Sequence, residues 1–310
     1  MSPRTRTLRF GIAIAVLAVV VAPTSVLAQE LEPRVYAVTP AGTNFMAVGY
    51  AFSTGAVFMD PALPVEDIDA DVHLAFARYT RTLSLFDRPA KIKAFLPWSS
   101  GRWVGTLEDD PRSRSTTGTG DARITIETLY ASRGSDAKTA ADMAAAPPPT
   151  LFGARLQVVL PTGTYDRDRL INLGSNRWVL IPEFGGSRSV GRWNIEGAVG
   201  AWLFGKNDDF ASGNTLEQDP LVVAKAVAVR TVRRGFWYAV AAGYGYGGRT
   251  YVNGERRATI QRNWRLSATV AYPLRPTQGI SVSLRTGGNF GAGNDFDAIA
   301  IAWQVAWTAN

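Results

Sequence analysis

Hydrophobic and polar residues alternate along most of this chain, in runs of about ten residues separated by polar loops. In residues 152–160 the apolar side chains would share one face of an extended strand, and Arg155 and Gln157 would share the other. Similar runs follow from residue 176 and from residue 193, after a long polar connection and then a tight turn. Strands of this length, joined by alternating long and short connections, are typical of a membrane-spanning β-barrel.

The alternation predicts about twelve strands between residue 42 and the C-terminus. Soluble β-sandwiches have strands of about 5–6 residues, whereas strands of about 9–11 residues cross a bilayer at a tilt. We therefore predict an all-β fold, a transmembrane antiparallel up-and-down β-barrel formed by residues 42–310. The predicted strands are residues 42–52, 71–82, 91–98, 121–130, 152–160, 176–184, 193–204, 221–230, 236–244, 263–272, 280–285 and 299–307.

In the second predicted strand, Val72, Leu74 and Phe76 are expected to face outward and His73 inward. Residues 99–118 are predicted to be a long charged loop. The Ala/Pro-rich residues 131–149 form the one connection whose length breaks the long–short pattern.

The first residues predict export. Three arginines precede an apolar stretch at residues 11–22, and small or apolar residues lead up to a predicted cleavage site after Ala28. We therefore predict a signal peptide at residues 1–28 and a short periplasmic lead-in at residues 29–41, too short to fold into a domain that would plug a pore. With a barrel, a signal peptide predicts the bacterial outer membrane.

Composition agrees with this prediction. Thirty glycines, nine tryptophans and ten tyrosines suit turns and interfacial aromatic belts. The formal net charge falls from +7 to +4 when the three signal arginines are removed, so the charge gives little reason to expect a nucleic-acid partner. The chain has no cysteine, which excludes disulfides, thiolate metal sites and a lipid-modified N-terminal cysteine.

Charged residues occupy the predicted inner face of the barrel. They are expected either to select solutes along a pore or to pair across strands and fill a closed barrel. Because about twelve strands lie between small filled barrels and large open porins, we favour a narrow or partly occluded channel. Arg177, Glu183 and Glu196 are predicted to form an internal ion-pair network. The predicted pore-lining residues are Lys91, Lys93, Arg123, Glu127, Arg155, Arg177, Glu183, Glu196, Arg265 and Arg285.

Catalytic and metal motifs are weak in this chain. His73 is the one histidine, and no recognisable nucleophile motif surrounds it. The sequence Asp67-x-Asp69-x-Asp71 resembles the start of a calcium loop, but the glycine and the final glutamate of that loop are missing. We predict neither a metal nor a cofactor.

The segment from Leu160 to Glu183 resembles a family of outer-membrane proteins associated with the meta-pathway of phenol degradation. Residues 120–123 resemble another feature of that family, where a strand begins after a Gly/Thr-rich loop. The resemblance implies an outer-membrane barrel that acts as a transporter, and it is the source of the preference for aromatic solutes. The motif residues, all expected at strand ends, are Gly120, Asp121, Pro161, Thr162, Gly163, Tyr165, Asp166, Asn172, Gly174 and Asn176.

Three hypotheses follow for function. The first is a channel for passive uptake of small molecules, aromatic or otherwise hydrophobic. The second is a structural or adhesive barrel that conducts nothing, and the third is a barrel enzyme that uses His73. The expected partners are outer-membrane lipid, lipopolysaccharide and a small-molecule solute; the sequence defines no oligomeric state.

Overall fold

The computed structural model describes residues 31–57, 65–107, 110–132, 139–169, 171–211, 213–257, 259–289 and 295–308. The predicted signal peptide and its cleavage site lie outside these residues. The elements are β1 (Thr43–Val57), β2 (Val65–Leu85), β3 (Arg88–Leu107), β4 (Asp110–Thr119), β5 (Arg123–Ala131), α1 (Ala140–Ala145), β6 (Thr150–Val159), β7 (Val179–Val190), β8 (Trp193–Phe204), β9 (Asn207–Phe210), β10 (Asn214–Gln218), β11 (Leu221–Arg233), β12 (Phe236–Gly247), β13 (Thr250–Val252), β14 (Glu255–Arg256), β15 (Gln261–Arg275), β16 (Gln278–Asn289) and β17 (Phe296–Thr308).

The main sheet is antiparallel and closes on itself as a twelve-stranded barrel. β1 pairs with β17 on one side and with β2 on the other, and β2 pairs with β3. β4 and β5 both pair with β3 and count as one barrel strand, interrupted at residues 120–122. The remaining seven barrel strands are β6, β7, β8, β11, β12, β15 and β16. The prediction of about twelve strands in an up-and-down barrel is confirmed.

The outer surface is apolar because alternate residues of every barrel strand point away from the lumen. Leu96, Phe184, Val240, Leu266 and Leu284 are examples of large hydrophobic side chains exposed on this surface. Such a surface suits lipid, and closure of the sheet pairs the backbone groups that lipid cannot satisfy. Among the described residues, no helix is long and apolar enough to cross a membrane.

The two ends of the barrel differ. At the end that carries both termini, four connections are two-residue turns, at 86–87, 191–192, 234–235 and 276–277. Gly191 and Gly235 adopt positive φ angles of 58° and 77° there, which glycine adopts without strain. The fifth connection, residues 132–149, contains α1, which the sequence pattern did not predict. Short turns at this end identify it as periplasmic.

At the extracellular end, β3 and β4 form a hairpin with Leu107 opposite Asp110, and β2 pairs with β3 along the same length, with Val65 opposite Leu107. The prediction of a loop at residues 99–118 was therefore wrong, because the many charged side chains of this hairpin obscured its alternation. A small second sheet, in the order β14-β13-β10-β9, joins two other loops at this end.

The predicted orientation of β2 was also wrong. Leu74 is buried opposite Ala51 on the inner face, whereas His73 is exposed opposite Phe52 on the outer face. Val72 and Phe76 share the inner phase with Leu74. Alternation of apolar and polar residues shows that a strand has two different faces. It identifies the lipid-facing face only where the residues that face the lumen are polar. At residues 72–76 of β2 the inner positions are apolar and the outer position His73 is polar, so the pattern assigned the two faces in reverse.

Candidate functional site in the barrel lumen

Residues 31–41, here called the luminal segment, lie inside the barrel. Val35 and Tyr36 are each only 2% exposed, and Leu31 packs against Val227 and Val229 of β11. The segment forms no domain of its own, and it lies within the lumen and not outside the pore. A segment without a helix or strand of its own can be held in this way when the barrel wall supplies its partners.

Glu32 is the main ionic anchor of the luminal segment. Its carboxylate lies 2.8 Å from Arg78 of β2 and 3.0 Å from Lys93 of β3. Arg155 of β6 is 3.9 Å away. One carboxylate thus ties the segment to three strands of the wall.

A row of charges crosses the wall beside Glu32. Lys91 lies opposite Glu127, Glu127 opposite Arg155, and Arg155 opposite Glu183 in the strand register. Glu127 pairs with Lys91 at 2.9 Å and with Lys93 at 3.1 Å. Opposite charges that are neighbours across strands neutralise each other in an enclosed space, where an unpaired charge would be costly.

Tyr36 provides a second anchor. Its hydroxyl donates to Glu183 at 2.8 Å, and Glu183 also pairs with Lys225 of β11 at 2.7 Å. The Ser187 hydroxyl donates to the Tyr36 carbonyl at 2.8 Å. Lys91 donates to the Val35 carbonyl at 2.8 Å. Both the side chains and the backbone of the segment are therefore bound by the wall.

Two glycines of the wall make room for the Tyr36 side chain. A Cβ atom at Gly153 would lie 2.6 Å from the Tyr36 ring, and one at Gly185 would lie 2.5 Å from its hydroxyl oxygen. Any larger residue at either position would displace the ring. The lumen is thus shaped to accept this segment.

Arg34 anchors the segment on the opposite side. Its guanidinium donates to Thr231 at 2.7 Å and lies 5.1 Å from the centre of the Trp237 ring. Burial lowers the pKa of Arg34 from its usual value, although the nearby Glu196 carboxylate opposes that shift. The segment therefore reaches strands on both sides of the lumen.

The charge state of Glu32 depends on its cationic neighbours. Burial alone would raise the pKa of Glu32, but Lys93, Arg78 and Arg155 together outweigh burial and hold the pKa well below its usual value. Glu32 therefore carries a negative charge at neutral pH while the segment is in the lumen.

Little space remains beside this network. A cavity of about 30 Å³ is lined by Arg155, Glu183, Trp202 and Lys225, among others. That volume holds one or two water molecules and not an aromatic ring. In this conformation the cavity beside the network has no room for a solute the size of phenol.

The remaining walls of the lumen are less polar. The inner positions of β1 include Ala47, Gly49 and Ala51, and they lie opposite inner positions of β17 that include Ala300 and Ala302. On β2 and β3 the Phe76 and Phe95 rings lie 5.5 Å apart. The lumen thus has a charged wall from β3 to β11 and an apolar wall around β1.

The structure places most of the predicted pore-lining residues on inner positions of the wall. Arg123 stacks over Phe95 at 5.3 Å and Arg265 over Phe296 at 4.7 Å, both away from the Glu32 network. Arg285 is half-buried on β16, and Glu196 is buried on β8 facing the Val35 amide. The residues gathered around the luminal segment are Lys91, Lys93, Glu127, Arg155, Glu183 and Glu196. That they line a conducting path remains a prediction.

Arg177 does not join Glu183 and Glu196 in one network. It precedes β7, stacks over Phe204 at 4.7 Å and donates to Gln218 at the extracellular mouth. Burial lowers the pKa of Arg177 to about 10, so it remains charged at neutral pH. The sequence pattern predicted that Arg177 lies in a strand, because the alternation of β7 continues back into the preceding loop, to residue 176.

Four residues of the network were missed in the sequence. Glu32 and Tyr36 carry no local signal, because the segment has no periodic structure. Arg78 was not among the predicted lining residues because the orientation of β2 was reversed. Lys225 did have a signal, since it is a lone charge within the apolar run of β11.

The family-like motif forms the extracellular mouth of the barrel. Asp121 accepts hydrogen bonds from the Gly163 amide at 2.9 Å, the Ser175 amide at 2.8 Å and the Ser175 hydroxyl at 2.6 Å. Gly163 and Gly174 approach so closely that a Cβ atom on either would lie within 2.7 Å of the other's backbone. Asp121 thereby fastens both ends of the loop from residue 160 to residue 178.

Further motif residues complete this loop. Asn172 accepts from the Asp166 amide at 2.8 Å and donates to the Asp166 carbonyl at 3.0 Å. Tyr165 donates to the Asp209 carbonyl at 2.9 Å, and Asn176 donates to Asn207 at 3.0 Å. Thr162 accepts from the Ala122 amide at 3.0 Å, while Pro161 follows β6 directly and Gly120 precedes Asp121 in the break of the wall. The motif therefore forms a defined loop at the rim, and its functional role remains a prediction.

Neutralising Glu32 should release the luminal segment. In a Glu32→Gln variant the wall cations lose a charged partner, which should weaken docking by roughly 2 kcal/mol. Because the chain has no cysteine, a single thiol introduced as Val38→Cys reports exposure of the segment through its labelling rate. We expect faster labelling in Glu32→Gln and an unchanged rate in the exposed control Glu255→Gln. Equal rates in all three proteins would contradict this anchoring role.

The same thiol should reveal a pH dependence. The pKa of Glu32 is depressed in the docked state, so its contribution is fully present above the ordinary carboxyl pKa of about 4.3 and is lost as pH falls through the docked value. Labelling should stay slow from pH 7 to about pH 5 and become faster below about pH 4, after correction for the pH dependence of the reagent. In the Glu32→Gln background this step should be absent; a step of the same size there would assign it to other groups.

Removing the Asp121 carboxylate should loosen the extracellular loop. An Asp121→Ala variant leaves three donors without their acceptor, at a cost of about 3 kcal/mol to the ordered loop. We expect faster proteolytic cleavage between residues 160 and 178 in folded protein. Asp168→Ala is the matched control, because Asp168 is an exposed residue of the same loop. Equal cleavage of the two variants would remove Asp121 from this role.

Comparisons with known proteins agree with this geometry. The family described as "Putative MetA-pathway of phenol degradation" matches residues 47–305. An outer membrane channel from Pseudomonas putida F1 superposes with a TM-score of 0.73 at 21% identity, over 90% of this chain and 100% of that chain. The transport unit of the autotransporter AIDA-I from Escherichia coli superposes with a TM-score of 0.50 at 9% identity, over 92% and 94% of the two chains.

A search of curated proteins found no match. The two structural likenesses establish the fold, that of an outer-membrane β-barrel. The family match covers most of the chain, including the motif at the mouth and nearly all of the barrel wall. The chain therefore belongs to the family of the phenol-degradation MetA pathway and is a twelve-stranded β-barrel of the bacterial outer membrane.

Proposed function

We propose that this barrel is a channel for passive uptake of small molecules and that the luminal segment keeps it closed at rest. The observation that carries this proposal is the way the lumen is filled. The space between the walls is occupied by a separate segment, held by the side chains of Glu32, Arg34 and Tyr36. Such a segment can leave without unfolding the sheet, whereas side chains of the wall cannot.

The proposed solutes are small aromatic or hydrophobic molecules. With the segment displaced, a solute would meet the charged wall on one side and the apolar wall around Ala51 and Phe76 on the other. An aromatic ring with one polar group, such as a phenol, suits both walls at once. The description of the family, which refers to phenol degradation, supports the same class of solute.

A non-conducting structural barrel is the second candidate. The cavity of about 30 Å³ beside the luminal network favours it, because no organic solute fits there in this conformation. The two candidates differ in one respect: the structural barrel needs its lumen permanently closed, and the channel needs the segment to move.

We propose no enzymatic role for the barrel. The His73 ring lies on the outer face of β2, where its Nδ1 is 2.5 Å from the Tyr50 hydroxyl and its ring centre is 5.0 Å from that of Phe52. These contacts explain His73 as a structural residue of the outer surface. A catalytic role in the lumen would require the side chain to face the pore, and it faces lipid.

Deletion of residues 31–41 should increase the conductance of the purified protein in planar bilayers several-fold. The same deletion should speed the swelling of liposomes in a phenol gradient, because it removes the side chains that close the lumen. A double variant, Glu32→Gln with Tyr36→Phe, should have a smaller effect in the same direction while keeping the chain length. Glu255→Gln, which alters an exposed residue of the small extracellular sheet, is the control.

The readouts separate the candidates. Barrels that remain folded, as judged by their resistance to unfolding in unheated detergent gels, and that neither conduct nor admit phenol after the deletion would establish the structural barrel. Conductance without phenol uptake would retain the channel and exclude the proposed solute class.

A further inference from the structure

The periplasmic rim of the barrel carries a one-sided concentration of arginines on the strands from β7 to β15. The turns and strand ends there, residues 188–194, 228–238 and 270–282, contain no aspartate or glutamate. Five of the six arginines are exposed and Arg230 is half-buried. We call this set the rim arginines: Arg188, Arg192, Arg230, Arg233, Arg234 and Arg275.

Two of the rim arginines are held on the outer, lipid-facing wall by aromatic rings. Arg230 lies 5.2 Å from the centre of the Trp193 ring. Arg233 lies 5.4 Å from the centre of the Tyr272 ring and donates to the Tyr272 hydroxyl at 3.2 Å. Stacking limits the motion of the guanidinium groups and leaves their remaining N–H donors free to bind another group.

The rim arginines have no acidic partner within the described part of the chain. No carboxylate of those residues lies within salt-bridge distance of any of the six. Cations at the extracellular end differ: Arg167 pairs with Asp209 at 3.1 Å and Lys206 with Asp208 at 3.0 Å. The positive charge of the periplasmic rim is therefore available to an anion from outside the protein.

Apolar side chains adjoin the rim arginines on the same outer surface. Val190, Val232 and Leu274 are exposed there. Trp193 meets Tyr238 edge-on at 6.2 Å. Aromatic rings of this kind are enriched at the level of the membrane interface. This arrangement suits an amphipathic anion, whose charged group would lie beside the arginines and whose apolar part would lie along the outer surface of the barrel.

We propose that the rim arginines bind the phosphate headgroups of anionic phospholipids in the periplasmic leaflet. The guanidinium fork matches phosphate oxygens, and the neighbouring apolar residues accommodate acyl chains. Lipid A also carries phosphates, but it occupies the outer leaflet and would meet the opposite end of the barrel. Phosphatidylglycerol and cardiolipin have the required charge at the required depth.

Lipid titration of the purified full-length mature protein in detergent, monitored by native mass spectrometry, tests this proposal. Wild-type protein should retain phosphatidylglycerol and cardiolipin more strongly than phosphatidylcholine. Each arginine removed should weaken retention of the anionic lipid by about five-fold, so Arg230→Gln with Arg233→Gln should lose most of the preference. The matched control is Arg262→Gln, since Arg262 lies 6.0 Å from the Tyr246 ring at the other end.

A second double variant, Arg234→Gln with Arg275→Gln, alters only exposed residues at or beside turns and keeps the test valid if the first variant does not fold. It should also reduce retention of anionic lipid. Equal retention of phosphatidylglycerol and phosphatidylcholine by the wild type would overturn the proposal. So would retention that both double variants preserve, or a preference for lipid A that Arg262→Gln removes and the rim variants leave unchanged.

Discussion

Closure of the hydrogen-bonded sheet is the constraint on which the rest of this structure depends. A strand edge in lipid would leave a row of backbone groups without partners, so β1 must pair with β17 over its length, from Thr43 opposite Thr308 to Thr54 opposite Asp297. Once the register around the ring is complete, every residue of the wall faces either lipid or lumen. The lumen of twelve strands is then wide enough to need filling and narrow enough for a single short segment to occupy it.

The luminal segment and the charged wall stabilise each other. Without Glu32, the cations Arg78, Lys93 and Arg155 would lose a carboxylate partner. Positive charge in this enclosed space would then be less well compensated. Without the wall, the segment has neither the length nor the pattern to fold. Gly153 and Gly185 show that the wall is shaped for this partner, because both positions leave the volume that the Tyr36 ring occupies. Because Glu32 and Tyr36 hold the segment through ionic and hydrogen-bonded contacts, a change of pH can weaken its docking.

The two ends of the barrel differ in how their charged residues are paired. The extracellular mouth is fastened by internal polar contacts, with Asp121 holding Gly163 and Ser175 and with cations paired to nearby carboxylates. The periplasmic rim uses two-residue turns and leaves its arginines unpaired within the described chain. The first arrangement gives an ordered loop facing the medium, and the second leaves a basic surface at the level of lipid headgroups. The difference arises because carboxylates are present beside the cations of the extracellular end and are missing from the periplasmic rim.

The sequence by itself determined the barrel, since an alternation that repeats over twelve strands with a long–short rhythm has few other physical explanations. It also placed Lys91, Glu127, Arg155 and Glu183 on the inner face, because a charge within an apolar alternation must turn away from lipid. Only the tertiary structure decided the faces of β2, where apolar Leu74 points inward and polar His73 points outward, and the role of residues 31–41. Glu32 and Tyr36 acquire their roles from residues that are distant in the chain. Contacts of that kind leave no periodic trace in a sequence, because they depend on which strands the closed ring brings around the segment.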